Sequence, residues 1–216
     1  MKRNSRYIDL SWTVGPDVLV YPGDPAFVVS GTRNLVSDGF SLKSITSAMH
    51  VGTHLDAPSH YLAKGGTVEL IPLEKTLGYT NKVTIQPVDG VIKTASIKEL
   101  YLKSKEQTTK IVICSGFSAE RFKPTYFTDF PSFEPSLGEF LMDYHIELFG
   151  VDMPSVKYTQ GGASAMHADL LSKEIVIVEN LINLEQTDPV FFLMAAPLKI
   201  AKMDGSFIRA VAIIDK

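Results

Sequence analysis

The chain has 216 residues, 45% of them hydrophobic and 21% charged, a length that suits one α/β or β-rich domain (1–216) with a sizeable core. Lys plus Arg number 21 against 24 Asp plus Glu, a formal net charge of -3. This excludes a strongly basic nucleic-acid binder and a polycationic membrane-surface protein, and the hydrophobic content excludes a disordered chain.

The basic start Met1–Arg6 runs into Tyr7-Ile8-Asp9-Leu10-Ser11 without the apolar stretch of a signal peptide. No run of 18 apolar residues follows, so the expectation is a cytoplasmic protein without a membrane partner. Short β-branched and aromatic runs predict strands at 7–12, 26–30, 40–49, 82–86, 110–114, 147–152, 174–179, 191–200 and 208–214. Turn residues such as Tyr21-Pro22-Gly23-Asp24-Pro25 and Met203-Asp204-Gly205 punctuate them. Ile111-Val112-Ile113 and Glu174–Val178 read as central strands buried on both faces. Capping boxes at Ser96…Glu99 and Ser136…Glu139 predict helices to about Lys103 and His145, and a third helix is expected over 165–172. The sum is a β-rich α/β domain with mixed sheets. The single cysteine, Cys114, closes an apolar run and reads as a buried, inert thiol.

The chemistry concentrates in one segment. Three of the five histidines fall within His50-Val51-Gly52-Thr53-His54-Leu55-Asp56-Ala57-Pro58-Ser59-His60. Imidazole nitrogen and carboxylate oxygen are donors that zinc and manganese both accept. A fully extended strand would separate the His50 and His54 Cα atoms by about 13 Å, at roughly 3.3 Å per residue. A bend is therefore expected between them, and Gly52 permits it. Asp56 is the natural bridge of a two-metal site. His60, set apart by Pro58, is the candidate for proton transfer. Of the remaining histidines, His145 reads as a helix-terminal residue. His167 is followed twelve residues later by Glu179, at the end of an apolar strand. A carboxylate there needs a partner, whether a metal, Arg209 or backbone donors.

The motif H-x-G-T-H-x-D-x-P-x-H over 50–60 resembles the signature of the cyclase family, which includes bacterial kynurenine formamidase and isatin hydrolase. The resemblance extends to Ile8–Ser11 with Tyr21–Pro25, Gly150–Val156, His167–Leu171 with Glu179-Asn180-Leu181, and Ala196–Lys199 with Asp204–Ser206 and Arg209–Val211. It implies a swivelling β/β/α fold and a metal-dependent hydrolase that assembles as a homodimer or homotetramer. It also implies one or two divalent ions, zinc or manganese. His50, His54 and Asp56 would hold the first and Asp56, His167 and Glu179 the second. The implied reaction is attack of metal-activated hydroxide on a small amide-type carbonyl, an aryl formamide or a cyclic amide such as isatin. His60 would be the general acid/base. Other cyclic imides or lactones, or a metal-bearing protein without turnover, are the rival readings.

Some positions depart from the family pattern. Tyr21 stands where formamidases tend to carry Trp, and it is taken with Trp12 as a substrate contact. Phe207-Ile208 replaces Pro-Val before Arg209, and Cys114–Ser118 replaces a Thr-rich loop. The Phe-rich stretch 122–140 reads as a pocket wall, a cover or an interface, and Gln160–Ser164 as a mobile lip.

Overall fold

The computed structural model describes residues 5–215; the first four residues of the basic start lie outside them. Strands β1 (Arg6–Asp9), β2 (Val28–Arg33) and β3 (Leu42–Thr46) precede β4 (His54–Asp56) and β5 (Leu77–Thr84). Then come β6 (Val91–Ile92), β7 (Lys110–Cys114), β8 (Ser132–Phe133), β9 (Leu148–Val151) and β10 (Val176–Glu179). The chain closes with β11 (Val190–Met194), β12 (Gly205–Phe207) and β13 (Val211–Ile214). Helices are α1 (Leu35–Asp38), α2 (Leu73–Thr76), α3 (Thr94–Leu102), α4 (Leu137–Asp143) and α5 (Gly162–Ser172).

Nine strands form one mixed sheet in the order β1-β13-β11-β5-β7-β9-β10-β4-β12. The middle strands β5, β7, β9 and β10 are parallel, and antiparallel pairs flank them on both sides. Parallel neighbours need crossovers, and α3, α4 and α5 supply them. Alternation along β7 builds two cores. Ile111 and Ile113 join Ile97, Leu137, Leu141, Met166 and Leu170 beneath the helices. Val112 and Cys114 join Leu55, Val178, Leu193 and Ala212 on the opposite face. Because residues from both flanks meet in that second cluster, the sheet curls over it. The two central strands are thus buried on both faces, as their apolar runs predict.

Local details correct several expectations. Helix α3 begins at Thr94, whose backbone N–H donates to the Glu134 carboxylate at 2.8 Å, so Ser96 is inside the helix and caps nothing. The Ser136 hydroxyl donates to Thr94 Oγ1 instead of capping α4. Gln160–Ser164 is a helix start: Gly161, at φ 76°, turns the chain into α5. Strand β10 begins two residues late because Glu174 takes a left-handed conformation at φ 56°. The strand expected over 191–200 stops at Met194, and the one over 7–12 at Asp9. His145, at φ 53°, follows the end of α4, the terminal role expected of it. β2 and β3 pair only with each other and form an exposed arm that carries α1 at its tip.

Candidate metal centre

Pairing places the motif against the end of the parallel sheet. β4 lies between β10 and β12, with His54 opposite Glu179 and Phe207, and Asp56 opposite Ile177 and Gly205. Strand alternation turns His54 and Asp56 to one face while Leu55 enters the core. The expected bend is at Gly52, φ +62°, where a Cβ would meet Val14 Cγ1 at 2.4 Å. It brings His50 back to Asp56, with Nδ1 2.8 Å from Oδ1. The close approach of β12 is possible because residue 205 is glycine: a Cβ there would lie 2.5 Å from His50 Cε1.

His50, His54, Asp56, His60, His167 and Glu179 converge, although up to 129 positions separate them in the chain. His54 Nε2 is 3.4 Å from Asp56 Oδ1 and 3.3 Å from Glu179 Oε2. His167 Nε2 is 3.4 Å from Asp56 Oδ2 and 3.2 Å from Glu179 Oε1. Two ligand-competent sets share Asp56: His50, Asp56 and His60, and His54, Asp56 and Glu179. His54 therefore groups with Glu179, and His60 stands among the candidate ligands beside His50. The His50 and His60 rings stack with centroids 3.9 Å apart.

The donor set fits a cation. His54 Nδ1 contacts the Gly52 carbonyl and His167 Nδ1 the Ala163 carbonyl, each at 2.8 Å. A carbonyl only accepts, so Nδ1 carries the hydrogen in both rings, and in the neutral ring Nε2 presents a lone pair to the carboxylates. Lone pair would face lone pair. A proton or a metal ion on Nε2 relieves this, and Asp56 Oδ2 is buried without a hydrogen-bond partner. Leaving such an oxygen unsatisfied costs about 1–3 kcal/mol or more.

Without a metal, protons answer the same demand. Burial works to lower the imidazole pKa values, but hydrogen bonds to carboxylates outweigh it. They raise His50 to about 9 (Asp204 and Asp56), and His54 to about 10 and His167 to about 11 (Asp56 and Glu179). Burial pushes the Asp56 and Glu179 carboxyls up, and the histidines pull both below their ordinary values. His60 differs: burial lowers it. A divalent ion displacing the bound protons would pair its charge with two carboxylates that are already ionised.

Several supporting groups have no spacing signal in the sequence. Ser155 Oγ and the Val156 N–H both donate to Glu179 Oε1 at 3.1 Å. Asp204 Oδ2 lies 3.3 Å from His50 Nε2 and 3.4 Å from His60 Nδ1, from a turn 144 positions beyond His60. Arg209 is an exposed partner of Asp9, at 2.7 and 2.8 Å, and takes no part in holding Glu179.

Trp12 stands beside the motif, its backbone N–H donating to Thr53 Oγ1 at 2.9 Å. Its ring lies 5.4 Å from that of Tyr126, and its indole Nε1 is buried without a partner. A cavity of about 500 Å³ is bordered by Trp12, Pro16, Leu19, Arg121 and Phe122. Tyr21 is on an exposed segment, edge-on to Phe127. The Phe-rich stretch divides: Phe130 and Phe133 are core, whereas Phe122 is 79% exposed.

Residues 8–158 match the protein family described as "Putative cyclase". A kynurenine formamidase from Bacillus anthracis is 28% identical over 211 residues, covering 97% of this chain and 98% of the relative. An isatin hydrolase solved with the product analogue thioisatinate superposes with a TM-score of 0.86 at 21% identity, over 98% of this chain and 93% of the other. A protein described as a predicted metal-dependent hydrolase from Bacillus stearothermophilus gives 0.78 at 22% identity, over 97% and 98%. With the signature over 50–60 folded into one cluster at the end of the sheet, the chain belongs to the cyclase family.

Proposed function

We propose that this chain is a metal-dependent amidohydrolase that cleaves a small amide-type carbonyl compound, an aryl formamide such as N-formylkynurenine or a cyclic amide such as isatin. The observation that carries the reading is the buried set of imidazoles and ionised carboxylates around Asp56, whose donors are aimed at one another and call for a cation. The formamidase relative and the hydrolase neighbours support the reaction class.

In this reading, which follows the family resemblance, His50, His54 and Asp56 would hold one divalent ion and Asp56, His167 and Glu179 a second, with His54 Nε2 lying between the two at 3.4 Å from Asp56 and 3.3 Å from Glu179. Zinc and manganese both suit the mixed N/O donors. An ion held there would supply Lewis-acid polarisation of the carbonyl and lower the pKa of a water molecule. The protein groups do the rest. Gly52 and Ala163 carbonyls fix the His54 and His167 tautomers, while Ser155 and Val156 hold Glu179 in place. His60 lies at the rim, its ring 26% exposed, where it reaches both the site and solvent. It takes a proton from the attacking water and returns it to the leaving nitrogen. Water thereby adds across the C–N bond, oxygen to the carbonyl carbon and hydrogen to nitrogen. Trp12, which borders the cavity of about 500 Å³ beside the motif, offers an aromatic face to an aryl substituent. Tyr21 would contact substrate from the outer segment.

An assembly of identical chains, a homodimer or homotetramer, belongs to the same proposal. The β2–β3 arm leaves Val36, Phe40 and Ile45 exposed, apolar surface of the kind that subunit contacts cover. Among the described residues no helix is long and apolar enough to cross a membrane.

The test is metal content by plasma mass spectrometry together with turnover of N-formylkynurenine and isatin by the same preparation. Bound zinc or manganese with turnover of either compound supports the proposal. Metal without turnover of either removes these two substrates, and no metal after reconstitution overturns the reading.

A further inference from the structure

Asp204 belongs to no ligand set, yet its carboxylate meets two histidines of the centre with one oxygen. Oδ2 lies 3.3 Å from His50 Nε2 and 3.4 Å from His60 Nδ1, and the two rings stack at 3.9 Å. The segment that carries it is anchored in its own right. The Ala57 N–H donates to the Asp204 carbonyl at 2.8 Å, and Gly205 pairs with Asp56 in the sheet. The carboxylate is thus held against the motif by main-chain contacts that do not depend on its side chain. That side chain is 49% exposed and remains solvated on its open side.

We propose that Asp204 is the positioning residue for His60: it accepts the Nδ1–H hydrogen bond and so reserves Nε2 for proton transfer in the hydrolysis. The physics is that of any imidazole base. A neutral ring has one N–H and one lone pair, and an acceptor beside one nitrogen determines which is which. A carboxylate beside Nδ1 holds the ring in the tautomer whose Nε2 can take a proton and stabilises the imidazolium formed when it does. His50 has its own, shorter contact, Nδ1 to Asp56 Oδ1 at 2.8 Å, so the loss of Asp204 falls on His60. The inference rests on the reading of His60 as that acid/base.

The experiment compares Asp204→Ala, Asp204→Asn, Asp204→Glu and His60→Ala as full-length, zinc-reconstituted protein. It reads zinc content, kcat and KM on N-formylkynurenine, and the His60 tautomer by long-range ¹H–¹⁵N NMR of the same zinc-loaded protein. Asp204→Ala and Asp204→Asn are expected to lower kcat by about 10- to 100-fold, the usual range for a residue behind a working group. KM and zinc content should stay near wild type, and the Nδ1–H tautomer of His60 should give way to a mixture. Asp204→Glu should recover part of kcat and of the tautomer preference. Unchanged kcat and tautomer in the Ala and Asn variants, with His60→Ala inactive, would overturn the positioning role and leave the His60 reading standing. An active His60→Ala would remove the His60 reading and this inference with it. Loss of zinc in Asp204→Ala would overturn the inference by showing that Asp204 acts through His50.

Discussion

His167 Nε2 stands 3.4 Å from Asp56 Oδ2, a fully buried oxygen without a hydrogen-bond partner, while Asp56 Oδ1 faces His50 and His54. The two oxygens of one carboxylate therefore serve opposite halves of the cluster. Replacing Asp56 with Ala is expected to empty both ion positions. Mass-spectrometric metal counting checks this, and wild-type stoichiometry in the variant would end the bridging assignment.

His60 sits close enough to His50 and Asp56 to be a ligand, so its role needs a measurement that separates the two possibilities. As a general acid/base, His60→Ala keeps its metal and loses about 10²–10⁴-fold in kcat. Metal loss in step with activity would make it a ligand.

Gly205 is required by the His50 ring rather than by backbone conformation. In Gly205→Ala the new methyl would be 2.5 Å from His50 Cε1, and β12 cannot retreat without breaking its pairing with β4. Displacement of His50 should weaken metal retention by about 10-fold or more. Competition with a metal-sensitive dye reads this directly, and an unchanged affinity would show that the ring is free to move.

The metal-free centre carries a pH signature. His50, His54 and His167 have pKa values raised from about 6.5 to about 9, 10 and 11, burial opposing the rise and carboxylate hydrogen bonds producing it. A raised folded-state pKa contributes stability that is fully present below the unfolded value and is lost as pH rises through the folded one. The chelator-treated protein should therefore lose Tm progressively from about pH 6.5 to about pH 11, and the zinc-loaded protein should lose less over the same window. Parallel curves would mean that these imidazoles do not hold protons for the carboxylates.

Cys114 ends β7 inside the core, and burial pushes its thiol up. It should resist a thiol reagent in the native protein and react once unfolded, with Cys114→Ser leaving turnover unchanged. Rapid native labelling would contradict this placement.

Much of the centre is legible in the amino-acid order because its donors are local. His54 and Asp56 share a strand face by period-two alternation, Gly52 supplies the left-handed bend, and the apolar run before Glu179 marks it as a carboxylate that needs a partner. The two central strands are legible for the same reason, since a strand buried on both faces has no polar alternate. Helix starts were not. Ser96 and Ser136 have capping chemistry, but Glu134 takes the first N–H of α3 from another part of the chain, a long-range contact that local pattern does not contain. Asp204 looks like an ordinary turn residue beside a glycine, and Ser155 like a loop serine. Only the register of β12 on β4 and the packing of the 153–156 segment beside β10 bring them to His60 and Glu179. The amino-acid order by itself thus determined which residue types supply the charge and donors of the centre. Tertiary structure decided how those donors group and what holds them, because strand pairing and crossovers set distances that chain separation leaves open.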